Sequence, residues 1–311
     1  MAAAPSPEPR RVAVTGSSGF VGRHLLKALD AAGVPAASFH RSRPEPAPPS
    51  DRAWEVVDPL DPSSVTAALR RSGATALIHL AGMRAPAGAP HGASATAEAN
   101  FAAAAVCLEA AMEAGLRRVV LLGSAEEYGP QAGPLREDAP LDPRTPYGIS
   151  KAAATSMALA LHRGRACPVV VLRAFSVYGP HQPAHMFVAE AIACAVGRQP
   201  FRMTAGEQKR DLVYVEDVVT ALLAALDAPG VEGHVLNVGS GTAHRLRDVA
   251  ALIWRLSGTD APLLVGERPA VPEELYDTWA DVTRAADLLG WRPRVPLERG
   301  LADTIGWAAR A

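Results

Sequence analysis

Cysteine is scarce: Cys107, Cys167 and Cys194 are the only three in 311 residues. They lie far apart, leave an odd count and form no C-x-x-C pair. No disulfide framework, zinc knuckle or other metal site is therefore expected, and a reducing cytoplasm is the default setting. Long hydrophobic runs are missing too, since no apolar stretch approaches the ~18 residues of a membrane span. The opening stretch, Met1 to Arg11, is rich in Ala and Pro but has no apolar segment. It reads as a short disordered tail and not as a secretory signal. Excess charge is also lacking: the formal net charge is -1, so no global basic field would recruit nucleic acid or an anionic membrane. No internal repeat is evident, and the one biased segment is the Pro-rich run from Pro44 to Pro49. The chain is 49% hydrophobic and 20% charged, an ordinary globular composition, long enough for one large domain or two modest ones.

A glycine turn comes first among the features that are present. Arg11-Val12-Ala13-Val14-Thr15 is β-like, and Gly16-Ser17-Ser18-Gly19-Phe20-Val21-Gly22 follows it into an amphipathic segment through Leu29. Glycines at such spacing let the backbone turn tightly and approach a pyrophosphate, which rests on the N–H groups of the helix start. A plain βα turn can also be Gly-rich. The strand–turn–helix context is what marks Gly16, Ser18, Gly19, Phe20, Val21 and Gly22 as dinucleotide contacts.

The second strand candidate, Ala36-Ala37-Ser38-Phe39, is followed by His40-Arg41-Ser42-Arg43 with no acid. An acid here accepts the ribose hydroxyls of NAD, whereas an Arg accommodates the 2′-phosphate of NADP. His40 and Arg41 therefore indicate NADP(H), with NAD left open; a solvated basic loop is the plainer alternative. Trp54 to Asp58 reads as the third strand, with Asp58 placed to accept from an adenine amino group or to cap the turn before Pro59. Ala76 to Gly82 reads as a buried strand. Its end, Leu80-Ala81-Gly82, is small enough for a cofactor to lie close, and His79 reads as a core-edge residue. The run Ala93 to Ala114 reads as a helix carrying Asn100.

Arg118 to Gly123 forms the next strand and ends at Ser124, at the edge where open α/β sheets place their ligands. A hydroxyl there can bond a substrate oxygen or serve only the turn. Twenty-three positions on, Tyr147-Gly148-Ile149-Ser150-Lys151 places a phenol and an amine one helical turn apart on one face. A cation beside a phenol favours the phenolate and brings the pKa from ~10 toward the working pH, as a proton-shuttling acid/base requires.

Glycine turn, Ser124 and Tyr147-x-x-x-Lys151, in that order, resemble the extended short-chain dehydrogenase/reductase family, specifically its nucleotide-sugar epimerases, dehydratases and ketoreductases. Thr15 to Gly22 is similar to the family's cofactor loop, Gly123-Ser124-Ala125-Glu126-Glu127-Tyr128-Gly129 to its active-site strand, and Pro146 to Lys151 to its catalytic helix. Val177-Tyr178-Gly179-Pro180, Lys209 to Val218 and Asn237-Val238-Gly239-Ser240-Gly241 match later signatures. The resemblance covers nearly the whole chain and implies Tyr147 as acid/base. It implies that Lys151 lowers the pKa of Tyr147 and holds the nicotinamide ribose, and that Ser124 positions the sugar oxygen. It implies hydride transfer, usually at C4, and Asn100 as a residue that orders the Tyr/Lys site. A homodimer is a further family expectation.

Two departures stand out. Ser176 occupies a position that is often Asn in the family and touches substrate. Glu126 matches an acid that dehydratases use to move C5/C6 protons, yet Ala125 stands where many of them have Asp. In the second half, Ala184 to Gln199 reads as a helix, and His181 and His185 as loop residues near the substrate. Asp217 could cap the helix after the strand Leu212 to Val215. Val235 to Gly239 is the last parallel strand. By the resemblance, Arg210 and Arg268 bind the nucleoside diphosphate, since guanidinium groups match phosphate oxygens in a fork; Arg210 could instead pair with Asp211.

The β/α alternation predicts an α/β, Rossmann-type doubly wound parallel sheet with a smaller, discontinuous C-terminal substrate lobe. The expected division is 1–177 plus 212–241 for the dinucleotide domain and 178–211 plus 242–311 for the substrate domain. The expected activity is NADP(H)-dependent reduction of a nucleoside-diphosphate 4-keto sugar. A 4-epimerase or dehydratase that recycles tightly bound NAD(P) is the first alternative, and a non-catalytic dinucleotide sensor the second.

Overall fold

The computed structural model describes residues 11–43, 53–84, 90–269 and 277–310. The expected N-terminal tail, apart from Arg11, and the Pro-rich run 44–49 lie outside the described residues. The chain opens with β1 (Val12–Thr15), α1 (Phe20–Ala31), β2 (Ala36–His40), β3 (Ala53–Val56), α2 (Pro62–Ser72) and β4 (Ala76–His79). There follow α3 (Gly92–Ala97), a π-helical turn (Glu98–Ala102), α4 (Ala103–Glu113), β5 (Arg118–Ser124), α5 (Pro146–Arg165) and β6 (Val169–Ala174). The remainder is β7 (Ser176–Tyr178), α6 (Phe187–Val196), β8 (Phe201–Met203), β9 (Lys209–Tyr214), α7 (Val215–Asp227), β10 (Val235–Val238), β11 (Ala243–Arg245), α8 (Leu246–Ser257), β12 (Leu263–Val265), α9 (Thr283–Leu289) and α10 (Leu297–Ala308).

Seven strands form one sheet in the order β10-β6-β5-β4-β1-β2-β3, and β1, β2, β3, β4 and β5 pair in parallel. β1, β4 and β6 are buried along their whole length, which is why they read as unbroken apolar runs: a parallel sheet is covered on both faces. The strand order reverses between β1 and β4, the place where such sheets bind ligands beyond their carboxyl ends.

Two compact units divide the chain. One holds residues 1–122, 153–171 and 225–234, and the other holds residues 123–152, 172–224 and 235–311. In the first, α1 turns Leu25, Leu26 and Leu29 inward, and α2 packs on α4, with Thr66 Oγ1 3.4 Å from Glu113 Oε2. The second has its own apolar core of Ile192, Phe201, Tyr214, Ile253 and Leu301, drawn from α6, β8, β9, α8 and α10.

Several elements differ from the sequence expectation. α2 was not anticipated, although its start is well marked: Asp61 accepts from Ser63 N–H at 2.9 Å, with Pro62 in the first turn. β4 stops at His79, so Leu80, Ala81 and Gly82 belong to the loop after it. β3 stops at Val56, leaving Asp58 beyond the strand. The helix expected from Ala93 to Ala114 is broken by the π-helical turn, with Asn100 inside it. The helix expected from Ala184 begins at Phe187, past the Pro183 turn, and ends at Val196. Asp217 does not cap α7, which starts two residues earlier at Val215. Its buried carboxylate instead accepts the N–H groups of Arg294 and Val295 at 2.9 and 3.0 Å, a tertiary demand that outweighs the local one.

Candidate active site

The glycine turn is a tight backbone cradle. Gly16 has φ +69°, and a Cβ there would stand 2.6 Å from the Ala81 nitrogen. A Cβ on Gly22 would stand 2.6 Å from Ser17 Cα. Only glycine lets α1 begin so close to β1 and to the loop after β4. Gly19 is the residue before α1 and offers no side chain to its N–H groups, which leaves the helix start able to meet an anion. The floor is pinned by buried Thr15, whose Oγ1 bonds His79 Nδ1 at 2.9 Å and accepts Ala81 N–H at 3.3 Å. His79, read from the sequence as a core-edge residue, is thus buried.

Around this cradle, Ser18 is exposed and its carbonyl accepts from Arg23 at 3.1 Å. Phe20 meets His24 edge-on, and Val21 is half-buried in the first turn of α1. His40 ends β2 within 3.4 Å of Ser17 Oγ and is edge-on to Trp54; burial lowers its pKa. Arg41 follows it and is exposed. Asp58 is exposed and accepts Leu60 N–H at 3.0 Å. Leu80 donates to Thr15 O at 3.2 Å, and Gly82 is exposed. Asn100 clamps Met83 from both sides, accepting its N–H at 2.7 Å and donating to its carbonyl at 2.8 Å.

Ser124, Tyr147 and Lys151 all belong to the other unit. Ser124 ends β5 and caps the short turn Ala125–Glu127, its Oγ accepting Glu126 N–H at 3.2 Å while Glu127 Oε1 accepts Ser124 N–H at 2.9 Å. That reciprocal pair is a capping box. A hydroxyl that accepts one bond still has a proton to donate, and Ser124 can therefore donate to a substrate oxygen. Thr145 precedes α5; its Oγ1 accepts Gly148 N–H at 3.0 Å and donates to Glu126 at 2.9 Å. A Cβ on Gly148 would stand 2.6 Å from the Glu126 carbonyl oxygen, so the glycine lets the helix start lie against the turn that carries Ser124.

Tyr147 is half-buried in the first turn of α5, and the Lys151 ammonium lies 5.9 Å from the centre of its ring. Lys151 is 5% exposed. Burial pushes its pKa down to about 8, and the Glu127 carboxylate opposes that fall. Glu127 is fully buried and accepts Arg173 Nε–H at 2.7 Å. Arg173 lies over the Tyr128 ring, 4.7 Å from its centre, and Tyr128 donates to Asn237 at 2.7 Å.

Sequence reasoning missed Glu127, Arg173 and Thr145. Two signals were available: Ser-x-x-Glu at 124–127 is a capping-box spacing, and a charged residue inside the apolar run of β6 demands a buried partner.

Of the expected substrate residues, Ser176 is half-buried on β7 and Arg210 on β9, where Arg210 donates to Lys209 O at 3.0 Å. The neighbouring Asp211 carboxylate accepts the N–H groups of Ser240, Gly241 and Ala280. Arg268 is exposed, lies over the Phe201 ring and forms an ion pair with Glu190. Burial lowers the pKa of His244, which pairs with Arg210 in register. His181 stacks on Trp307 at 4.6 Å, and His185 is exposed. Among the described residues no cluster of His, Cys, Asp or Glu could hold a metal ion, and the three cysteines are free thiols. No helix among the described residues is long and apolar enough to cross a membrane.

A doubly wound parallel sheet with a glycine cradle between its first strand and first helix is the architecture of dinucleotide-binding proteins. The NAD dependent epimerase/dehydratase family model matches residues 12–239, and this chain belongs to that family. It is 34% identical to the dTDP-6-deoxy-L-talose 4-dehydrogenase (NAD(P)(+)) of Kitasatospora kifunensis, over 99% of this chain and 98% of the relative. MoeE5 in complex with UDP-glucose and NAD superposes with a TM-score of 0.86 at 31% identity, covering 96% of this chain and 99% of that one. RMD from Pseudomonas aeruginosa complexed with NADPH superposes at 0.83 with 28% identity, covering 97% of this chain and all of that one. The chain is thus an enzyme of the nucleotide-sugar epimerase, dehydratase and reductase group, with NAD(P) as cofactor.

Proposed function

We propose that the enzyme reduces a nucleoside-diphosphate 4-keto sugar with NADPH. The observation that carries this reading is the end of β2, where His40 and exposed Arg41 stand and no carboxylate follows through Arg43. An arginine beside a ribose suits a 2′-phosphate, whereas NAD selection uses an acid. The backbone cradle of Gly16 and Gly22, which any Cβ would fill, fits a pyrophosphate on the start of α1. Bound there, the nicotinamide would exchange a hydride with C4 of the sugar.

The chain's own residues manage the proton. Ser124 donates its remaining hydrogen to the sugar oxygen at C4. Tyr147 gives its phenolic proton to that oxygen, and the Lys151 ammonium stabilises the phenolate left behind. Arg210 and Arg268 are assigned to the diphosphate, and Ser176 to the sugar. Arg268 would exchange its Glu190 pair for phosphate oxygens, a cheap exchange because exposed ion pairs are worth ~1 kcal/mol or less. Glu126, whose carboxylate accepts from Thr145, is read as holding the start of α5. That supports reduction over dehydration. Residues 178–211 and 242–311 are proposed as the substrate lobe. A homodimer in the cytoplasm belongs to the same proposal, and light scattering tests the dimer.

A second reading, 4-epimerisation with retained NAD, is favoured by the likeness to MoeE5, whose complex holds UDP-glucose and NAD. One experiment separates the two. Purified protein is mixed with 4-keto nucleotide sugars and NADPH or NADH while the reduced cofactor's absorbance is followed. Stoichiometric NADPH consumption supports reduction. Sugar interconversion with no added cofactor, and NAD released on denaturation, would establish the second reading instead. Tyr147→Phe distinguishes both from a dinucleotide sensor, which would lose nothing.

A further inference from the structure

Glu127 and Arg173 take no part in the proton transfer proposed above, yet they form an ion pair whose side chains are 0% and 3% exposed. Both oxygens of the carboxylate are engaged: Oε2 accepts Arg173 Nε–H at 2.7 Å, and Oε1 accepts the backbone N–H of Ser124 at 2.9 Å. Arg173 is held in turn, its guanidinium 4.7 Å from the centre of the Tyr128 ring, and Tyr128 donates to Asn237 at 2.7 Å. All of these residues belong to one compact unit. A turn at the surface needs no such arrangement. A solvated glutamate closes a capping box, and hiding a carboxylate with a guanidinium is costly even when the two pair. What the buried pair adds is a fixed, charged acceptor at one atom, the Ser124 nitrogen.

We propose that the Glu127–Arg173 pair positions Ser124: the guanidinium fixes the carboxylate, and the carboxylate holds the Ser124 backbone so that the proton left on its hydroxyl has one direction. The inference deepens the proposed reaction and rests on it for the use of that proton. Ser124 Oγ accepts Glu126 N–H at 3.2 Å, which occupies the hydroxyl as an acceptor and leaves it to donate. That bond lies at the long end of the range, whereas the bond on the Ser124 N–H is charge-assisted and shielded from water. The second therefore does most of the holding. Without it the cap loses its reciprocal half, and the hydroxyl can turn away from the sugar oxygen. A misplacement of ~1 Å in a reacting group can cost up to about 10²-fold in rate.

Removing one charge alone would leave the other buried and unpaired, so the test removes both; exchanging a buried ion pair for uncharged groups of similar size is often close to neutral for stability. Glu127→Gln with Arg173→Met keeps an amide oxygen for the Ser124 N–H. Glu127→Leu with Arg173→Met takes the acceptor away. Thermal melts check that both variants are folded. The kcat for 4-keto sugar reduction should be about tenfold or more lower in the leucine variant than in the glutamine variant. Both are then repeated with Ser124→Ala. There the two should turn over at one rate, because nothing is left to position, whereas a merely structural defect would carry over in full. Equal kcat in the first comparison, or an undiminished difference in the second, overturns the inference.

Amide hydrogen exchange reads the same bond without substrate. A serine-selective NMR label reports the backbone N–H groups, and Ser124→Ala identifies the signal in question. The Ser124 N–H should exchange slowly in the wild type and the glutamine variant, and about tenfold or more faster in the leucine variant. Equal rates in the two variants count against the pair. If the leucine variant does not fold, the wild-type signal decides: a protected Ser124 amide upholds the inference, and one that exchanges like an exposed serine overturns it. A wild-type protein inactive on every 4-keto nucleotide sugar, whose Ser124 amide still follows the side chain at position 127, would sink the proposed reaction and leave the hold on Ser124 standing.

Discussion

Lys151 shows how one side chain's surroundings set the working range of a site. Burial favours the neutral amine and takes its pKa to about 8. Above that value the cation beside Tyr147 is lost, and with it the stabilisation of the phenolate. The turnover rate is therefore expected to fall as pH rises through about 8, and a kcat profile from pH 6 to 10 checks it. Tyr147→Phe keeps the ring and removes the proton; kcat should drop by roughly 10²–10⁴ with dinucleotide affinity little changed, as measured by fluorescence titration. Glu126→Gln separates two roles for one carboxylate. A holding role through Thr145, where the amide oxygen can still accept, predicts a loss of about tenfold or less, whereas a proton carrier predicts a loss like that of Tyr147→Phe.

The start of α5 and the start of α1 are the elements on which the site depends, and both rely on missing side chains. At Gly148 an added methyl would meet the Glu126 carbonyl oxygen at 2.6 Å, and that atom is backbone and cannot swing aside. Gly148→Ala should destabilise the protein by ~1–3 kcal/mol and lower kcat by shifting Tyr147 relative to Ser124; thermal melts and kinetics together test this. At Gly22 the obstruction is Ser17 and the Gly16 carbonyl. Gly22→Ala is expected to raise the dinucleotide dissociation constant at least tenfold, read by the same fluorescence titration.

Across the whole molecule, long-range bonds from buried carboxylates join segments that are far apart in the chain. Asp211 binds the turn after β10 and Ala280 at once. Asp217 holds the stretch before α10 through Arg294 and Val295. Asp211→Ala leaves three N–H groups without an acceptor, that of buried Ala280 and those of half-buried Ser240 and Gly241, and a loss of about 1–3 kcal/mol in unfolding free energy is expected, measured by urea denaturation.

The sheet, and the placing of Ser124 at the end of β5 and of Tyr147 and Lys151 on one helix, were legible in the chain because each rests on local rules. Unbroken apolar runs mark strands covered on both faces, glycines mark the turn between β1 and α1, and a four-residue spacing puts Tyr147 and Lys151 on one helical face. Which partners Asp217 and Glu127 would find was not legible, because those partners lie 77, 78 and 46 positions away. Nor did the sequence around Asp211 show that three backbone N–H groups from elsewhere claim its carboxylate. The amino-acid order alone carried the resemblance to the family, the α/β alternation and the four-residue spacing that puts Tyr147 and Lys151 on one helical face. Only the tertiary structure decided that the buried Glu127 pairs with Arg173, and how far burial moves the Lys151 proton. Both depend on distance through space and on excluded water, and neither is written in the spacing of residues along the chain.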